Sequence, residues 1–216
     1  MLRVKICGLR RAEDAATAVA AGADALGFNF WPGTRRYIEP AAAARIVAEV
    51  PPQVLTVGVF VDEQPERVLA IAEQTGIMAL QLHGNESPEY VDQLGDYLKI
   101  KTIKVAPGFQ PEELSRYASA SLFLLEGFVA GMVGGTGRNF DWSLAEMAKE
   151  YGKIILAGGL TPDNVAEAVR RVRPWGVDVA SGVEREPGIK DPRLIREFIQ
   201  AARSTEQETA SSSSTG

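Results

Sequence analysis

Residues 153–182 read KIILAGGLTPDNVAEAVRRVRPWGVDVASG, and this stretch decides the fold. Lys153–Ala157 is a short apolar run of strand character that ends at Gly158-Gly159. Thr161-Pro162 then opens an amphipathic stretch whose apolar residues recur at helical spacing. A second strand-like run, Gly176–Ala180, follows and ends at Ser181-Gly182. Proline suits the first helical position because its missing N–H would have no partner there, and a polar residue just before it can cap the first turn. Working outward, the same unit recurs along the chain. Strand-like runs occur at Leu2–Cys7, Ala25–Phe30, Val54–Val61, Ile77–Leu82, Leu98–Val105 and Ser121–Glu126. Helical stretches begin at Glu39-Pro40, Gln64-Pro65, Ser87-Pro88, Gln110-Pro111, Asp141-Trp142 and Asp191-Pro192, and an alanine-rich one, Ala12–Ala21, stops at Gly22. Eight strands and eight helices in alternation predict a parallel sheet, since each crossover needs a helix to return. Eight units close most naturally into an α/β (βα)8 TIM barrel. An open doubly wound sheet is the alternative, disfavoured by the count and by the helix that ends the chain.

Bulk properties narrow the function classes. The chain has 216 residues, 45% hydrophobic and 24% charged, with a net charge of −5. That size suits one barrel domain, taken as residues 1–203. The acidic balance offers no electrostatic footprint for nucleic acid. No run of about 18 apolar residues is present, which argues against a membrane partner. One cysteine cannot form an internal disulfide, and no signal-peptide stretch opens the chain, so a cytoplasmic setting is expected. One histidine and one cysteine far apart make a structural zinc site a poor reading, and no metal is expected. Residues 204–216 are serine-rich and almost free of apolar side chains, and read as a disordered tail.

In a barrel of this type catalytic groups gather just after the strands. Cys7-Gly8, Asn29, Gln81, His83-Gly84, Glu126-Gly127, Gly158-Gly159 and Ser181-Gly182 all stand there. Cys7 is the only cysteine and Glu126 closes another strand. Together they would supply one thiol and one carboxyl across a substrate, enough to move a proton off one atom and onto another. Phosphate often binds at the loops after strands seven and eight, and Gly158, Gly159, Ser181 and Gly182 have the character for it. A helix N-terminus after each loop would add favourable partial charge. A further glycine-rich loop, Gly134-Gly135-Thr136-Gly137, follows strand six and could close over the same region. Taken singly, the glycines are better read as tight turns, and Cys7 as a buried core residue.

The ordered set of motifs resembles the phosphoribosylanthranilate isomerases of tryptophan biosynthesis. It comprises Val4-Lys5-Ile6-Cys7-Gly8, Gly27-Phe28-Asn29-Phe30 with Arg36-Tyr37, Gln81-Leu82-His83-Gly84, Gly134–Gly137 with Phe140-Asp141-Trp142, Leu156–Leu160 and Val177–Glu184. The resemblance implies a cofactor-free Amadori rearrangement, an aldose–ketose isomerisation of N-(5-phosphoribosyl)anthranilate to 1-(2-carboxyphenylamino)-1-deoxyribulose 5-phosphate. It implies that Cys7 is the general base, its thiolate favoured by a nearby cation or helix terminus. It implies that Glu126 is the general acid, although the family usually has aspartate there. The extra methylene would move the donor by roughly 1 Å, a displacement able to cost about 10²-fold in rate. Arg36 is expected to hold the anthranilate carboxylate, and His83 to face the ligand. Gln81, Gly135 and Asp178 are expected to support the site, while Asp141 reads as a helix cap. The expected partner is the small phosphoribosyl substrate, with the chain a monomer or homodimer. Two alternatives stand: a phosphosugar-binding protein, and an isomerase of another phosphoribosyl substrate such as that of the histidine pathway, whose members rely on two aspartates.

Overall fold

The computed structural model of the chain describes residues 1–106, 108–127 and 142–212. Eight strands form a closed parallel barrel in chain order: β1 (Arg3–Ile6), β2 (Ala25–Asn29), β3 (Leu55–Phe60), β4 (Ala79–Leu82), β5 (Leu98–Lys104), β6 (Leu122–Glu126), β7 (Ile154–Ala157) and β8 (Gly176–Val179). Pairing of β1 with β8, in which Lys5 lies beside Asp178, closes the ring. The crossovers carry α1 (Ala12–Ala20), α2 (Pro40–Val47), α3 (Pro65–Thr75), α4 (Pro88–Asp92), α5 (Trp142–Ala148) and α6 (Val165–Val172), and α7 (Pro192–Ser212) follows β8.

Side chains alternate along every strand, and this alternation sorts the protein into two cores. One set points outward against the helices and includes Val4, Ile6, Leu80, Leu82, Phe123, Leu125, Leu156, Val177 and Val179. The other fills the barrel interior with Ala25, Val57, Ala79, Ile100, Leu122, Leu124, Ile155 and Ala157. Continuing the inward set one step further along each strand reaches Cys7, Asn29, Gln81, Lys104, Glu126 and Asp178. The same period of two that packs the core therefore aims the functional groups.

Several expectations need correction. The stretch from Pro111 folds as a 3₁₀ helix, Pro111–Arg116, in place of an α-helix. Ser115 donates to the Glu112 carbonyl three residues back, which favours the tighter turn. The helix expected from Pro162 begins at Val165. Of the polar residues before the helical prolines, Ser87 accepts from the Tyr90 N–H, and Asp191 from the N–H groups of Arg193 and Leu194. After β8 comes a single 3₁₀ turn, Ser181–Val183, and then a small hairpin, β9 (Glu184–Glu186) with β10 (Ile189–Lys190), that the sequence reading lacked. The tail is not irregular from residue 204: α7 continues to Ser212. Ser204 and Thr205 return their hydroxyls to the Ala201 and Ala202 carbonyls, and Thr205 is buried, so both join the helix.

Candidate active site

A cavity of 460 Å³ opens at the C-terminal ends of the strands. Cys7, Arg36, Gln81, His83, Glu126, Gly158, Gly159, Asp178 and Ser181 all line it, as the sequence reading requires of a shared site. Gly182 does not reach the cavity wall. A Cβ there would stand 1.9 Å from the Leu160 carbonyl oxygen, so Gly182 lets the loops after β7 and β8 press backbone against backbone. Gly135, its neighbours Gly134–Gly137 and Asp141 lie outside the described residues.

On the β1 side, three ionisable groups meet. The Lys5 ammonium donates to Asp178 at 2.7 Å, both side chains being buried. Lys5 and Cys7 are close enough for each to bias the other's ionisation. A Cβ on Gly27 would lie 2.7 Å from the Cys7 sulfur and 3.2 Å from Lys5 Cε, so glycine on β2 makes room for this convergence. Burial opposes the Lys5 charge, yet the nearby Asp178 and Cys7 hold its pKa above the usual lysine range. Cys7 corrects an expectation. Cations are present, as Lys5 and more distantly Lys190, but burial outweighs them, and the thiol is pushed above its ordinary value. A thiol that has lost its water shell ionises reluctantly even beside an ammonium already shared with a carboxylate.

Across the mouth, Glu126 at the end of β6 faces His83 at the end of β4, with Oε2 3.2 Å from Nε2. That contact with His83 holds the Glu126 carboxyl below its usual range despite partial burial, with smaller help from Lys104. The His83 loop rests on a buried pair: the Lys101 ammonium donates to Glu86 at 2.6 Å and to the Gly84 carbonyl at 2.9 Å. Glu86 in turn accepts from the Gly84 and Asp62 N–H groups. Removing either charge would strand the other in the interior, so the pair keeps this loop in one arrangement.

The third wall comes from the loop after β2. Arg36 lies over Gly8, where a Cβ would meet its Cδ at 2.5 Å. Its guanidinium donates to Glu184 through Nε and Nη2, both at 2.8 Å. Lys190, fully buried, donates to the same carboxylate and to the Ala180 carbonyl. Burial disfavours the Glu184 charge, but Arg36 and Lys190 outweigh it and lower its pKa. Arg36 therefore enters the site already oriented, with Nη1 not used in that pair.

Lys5, Glu184 and Lys190 were missed as site residues. Lys5 carried a readable signal, since it is two residues from Cys7 on the same strand and must share its face. Glu184 closes the motif Val177–Glu184, but nothing in the sequence pairs it with Lys190, because the unexpected hairpin brings the two together.

Comparison with known proteins gives the family. The family model described as N-(5'-phosphoribosyl)anthranilate (PRA) isomerase matches residues 4–201. An N-(5'-phosphoribosyl)anthranilate isomerase from Desulforudis audaxviator is 52% identical over 205 residues, covering 94% of this chain and 98% of that protein. A phosphoribosyl anthranilate isomerase in complex with reduced 1-(o-carboxyphenylamino)-1-deoxyribulose 5-phosphate is similar with a TM-score of 0.83 at 41% identity, covering 94% of this chain and 100% of that one. A structure of monomers of dimeric phosphoribosylanthranilate isomerase from Thermotoga maritima has a TM-score of 0.83 at 40% identity, covering 94% and 99%. With its barrel fold and nearly its whole length matched in this way, the chain belongs to the N-(5'-phosphoribosyl)anthranilate isomerase family.

Proposed function

We propose that the chain isomerises N-(5-phosphoribosyl)anthranilate to 1-(2-carboxyphenylamino)-1-deoxyribulose 5-phosphate, a step of tryptophan biosynthesis, in the cytoplasm. The observation that carries this reading is the placement of one thiol and one carboxyl, Cys7 and Glu126, on the same cavity in a member of this family.

In this reading the substrate phosphate sits against Gly158, Gly159 and Ser181, where closely packed loops present backbone and hydroxyl donors. Arg36, aligned by Glu184, meets the anthranilate carboxylate with the donors left outside that pair. Glu126 delivers a proton to the ribose ring oxygen, the ring C–O bond breaks, and the nitrogen lone pair forms the C1=N iminium ion. Cys7 as thiolate removes the C2 proton, and the C2–H electrons move into the iminium to give an enolamine. Tautomerisation places the ketone at C2 and the hydrogen at C1. The substrate's nitrogen is the electron sink, so the sequence of steps balances without a cofactor.

Lys5 supports the base step. Its charge favours the thiolate, while burial, which favours the thiol, makes that thiolate a stronger base toward the C2 proton. Among the described residues, no helix is long and apolar enough to cross a membrane. The dimeric relative from Thermotoga maritima supports a homodimer as one candidate assembly.

The test is turnover of freshly generated substrate, followed by loss of its anthranilate fluorescence. Turnover that disappears in Cys7→Ala is the expected result. Binding of a product analogue with no turnover would refute isomerisation and leave a phosphosugar-binding role.

A further inference from the structure

Three charged side chains meet behind the wall that carries Arg36, and their charges do not balance. Arg36 and Lys190 both donate to Glu184, the guanidinium at 2.8 Å through Nε and Nη2 and the ammonium at 2.9 Å. Glu184 has 5% of its side chain exposed and Lys190 none, whereas Arg36 keeps 28% and lines the cavity. Lys190 stands opposite Glu184 in the pairing of β10 with β9, so the hairpin itself brings the two together. The second partner of the Lys190 ammonium is the Ala180 carbonyl at 2.9 Å, and both partners are acceptors, as an ammonium requires. Burial lowers the Lys190 pKa, and Glu184 is the charge that most opposes this. Neighbouring carboxylates are matched elsewhere: Asp14, which accepts from the Lys190 N–H, is held by Nε and Nη2 of Arg11, and Asp178 is held by Lys5. Cys7 lies near enough to influence both cations, but burial favours its neutral thiol. The trio therefore carries two positive charges and one negative.

The surplus matters because of where it can act. A guanidinium in a two-point bond with an unshared carboxylate forms a pair of zero net charge, which has little attraction left for a second carboxylate. Lys190 changes this. Its ammonium is sealed from the cavity and reaches no ligand, so its charge is directed onto Glu184. With Glu184 shared between two cations, one unit of positive charge stays uncompensated. Arg36 is the member of the trio that faces the cavity, with Nη1 outside the pair. We infer that Lys190 is a positioning residue that determines specificity: by neutralising Glu184 it leaves the Arg36 charge free for a carboxylate on the substrate. This rests on the proposed isomerisation, in which that carboxylate belongs to the anthranilate ring. The arrangement gives Arg36 a fixed aim and an unquenched charge together, which a single ion pair cannot do.

The probes are reduced 1-(o-carboxyphenylamino)-1-deoxyribulose 5-phosphate and its carboxamide counterpart, titrated by calorimetry into the full-length protein. The readout is the ratio of their affinities, which a general loosening of the site leaves unmoved. Charge-assisted hydrogen bonds are roughly twice as strong as neutral ones, so the parent should favour the carboxylate by about tenfold. Lys190→Met should bring the two analogues to near-equal affinity. Adding Glu184→Gln to Lys190→Met removes the quenching carboxylate and should restore the preference. Glu184→Gln alone leaves two cations unopposed and should raise the ratio above the parental value. A structural role for Lys190, confined to holding the Ala180 carbonyl, would weaken both analogues alike in Lys190→Met, and a parental ratio there would overturn the inference. So would a double variant whose ratio stays with that of Lys190→Met. Where Lys190→Met does not fold, Glu184→Gln decides, and a ratio at or below the parental value overturns the inference. A parent that binds neither analogue refutes the isomerase reading and this inference with it. A parent that binds both without preference refutes this inference alone.

Discussion

Gly27→Ala tests whether the position of Cys7 sets the rate. The added methyl would fall 2.7 Å from the Cys7 sulfur, 3.1 Å from Cys7 Cα and 3.2 Å from Lys5 Cε. Non-bonded heavy atoms rest about 3.5–4.0 Å apart, so the sulfur must retreat by roughly 1 Å or the strands must separate. Retreat is hindered, because Lys5 is tied to Asp178 and the Cys7 N–H is bonded to the Val179 carbonyl. A displacement of about 1 Å at a reacting group costs about 10²-fold in rate, equivalent to about 2.7 kcal/mol of barrier. Overpacking adds about 1–3 kcal/mol of destabilisation. At about 2–4 °C per kcal/mol for a chain of this size, the melting temperature should fall by roughly 2–12 °C. Stability loss alone must be separated from displacement of the thiol. Gly58→Ala provides the control: its methyl would meet Ile77 Cδ1 at 2.3 Å on the helix-facing side of β3, away from the cavity. Both variants should melt earlier, and only Gly27→Ala should lose turnover when both are assayed well below their transitions. If Gly27→Ala keeps parental kcat, or if Gly58→Ala loses as much, the argument that Cys7 placement limits the rate is refuted.

Four further outcomes are expected. The rise of kcat/KM with pH should follow formation of the Cys7 thiolate; because burial raises the thiol's pKa, that limb should lie above the ordinary cysteine range, and Lys5→Met, which removes the cation, should move it higher still in a pH–rate profile. The same variant leaves Asp178 buried without its partner, and urea titration should show a loss of about 3–5 kcal/mol. Glu126→Gln keeps the shape and removes the acid, so kcat should fall by about 10²–10⁴-fold while product-analogue binding, followed by calorimetry, stays intact. Gly182→Ala drives a methyl into the Leu160 carbonyl and must part the loops after β7 and β8; calorimetry should show weaker binding of inorganic phosphate, and unchanged binding would place the phosphate elsewhere.

Much of this architecture could be read without coordinates because its signals are local. The proline-led helix starts at Pro40, Pro65, Pro88 and Pro192 and the apolar runs of eight strands each reflect a preference of a few neighbouring residues. Alternation along β1, β4, β6 and β8 places Cys7, Gln81, Glu126 and Asp178 on the inner face once the barrel is assumed. The misreadings were local competitions that periodicity does not record: Ser115 tightening its turn into a 3₁₀ helix, and Ser204 and Thr205 folding their hydroxyls back into α7.

What the sequence by itself determined was the repeating strand–helix unit, the barrel and the list of groups at its mouth, since each depends on spacing within one element. Tertiary structure alone decided how those groups are charged and aimed. Lys5 reaches Asp178 across 173 residues of chain and Arg36 reaches Glu184 across 148, joined only when β1 closes on β8 and the small hairpin folds over the site. Whether Cys7 ionises more or less readily than a free thiol turned on the balance of burial against those distant charges. Burial is a property of the closed barrel, which no stretch of sequence possesses.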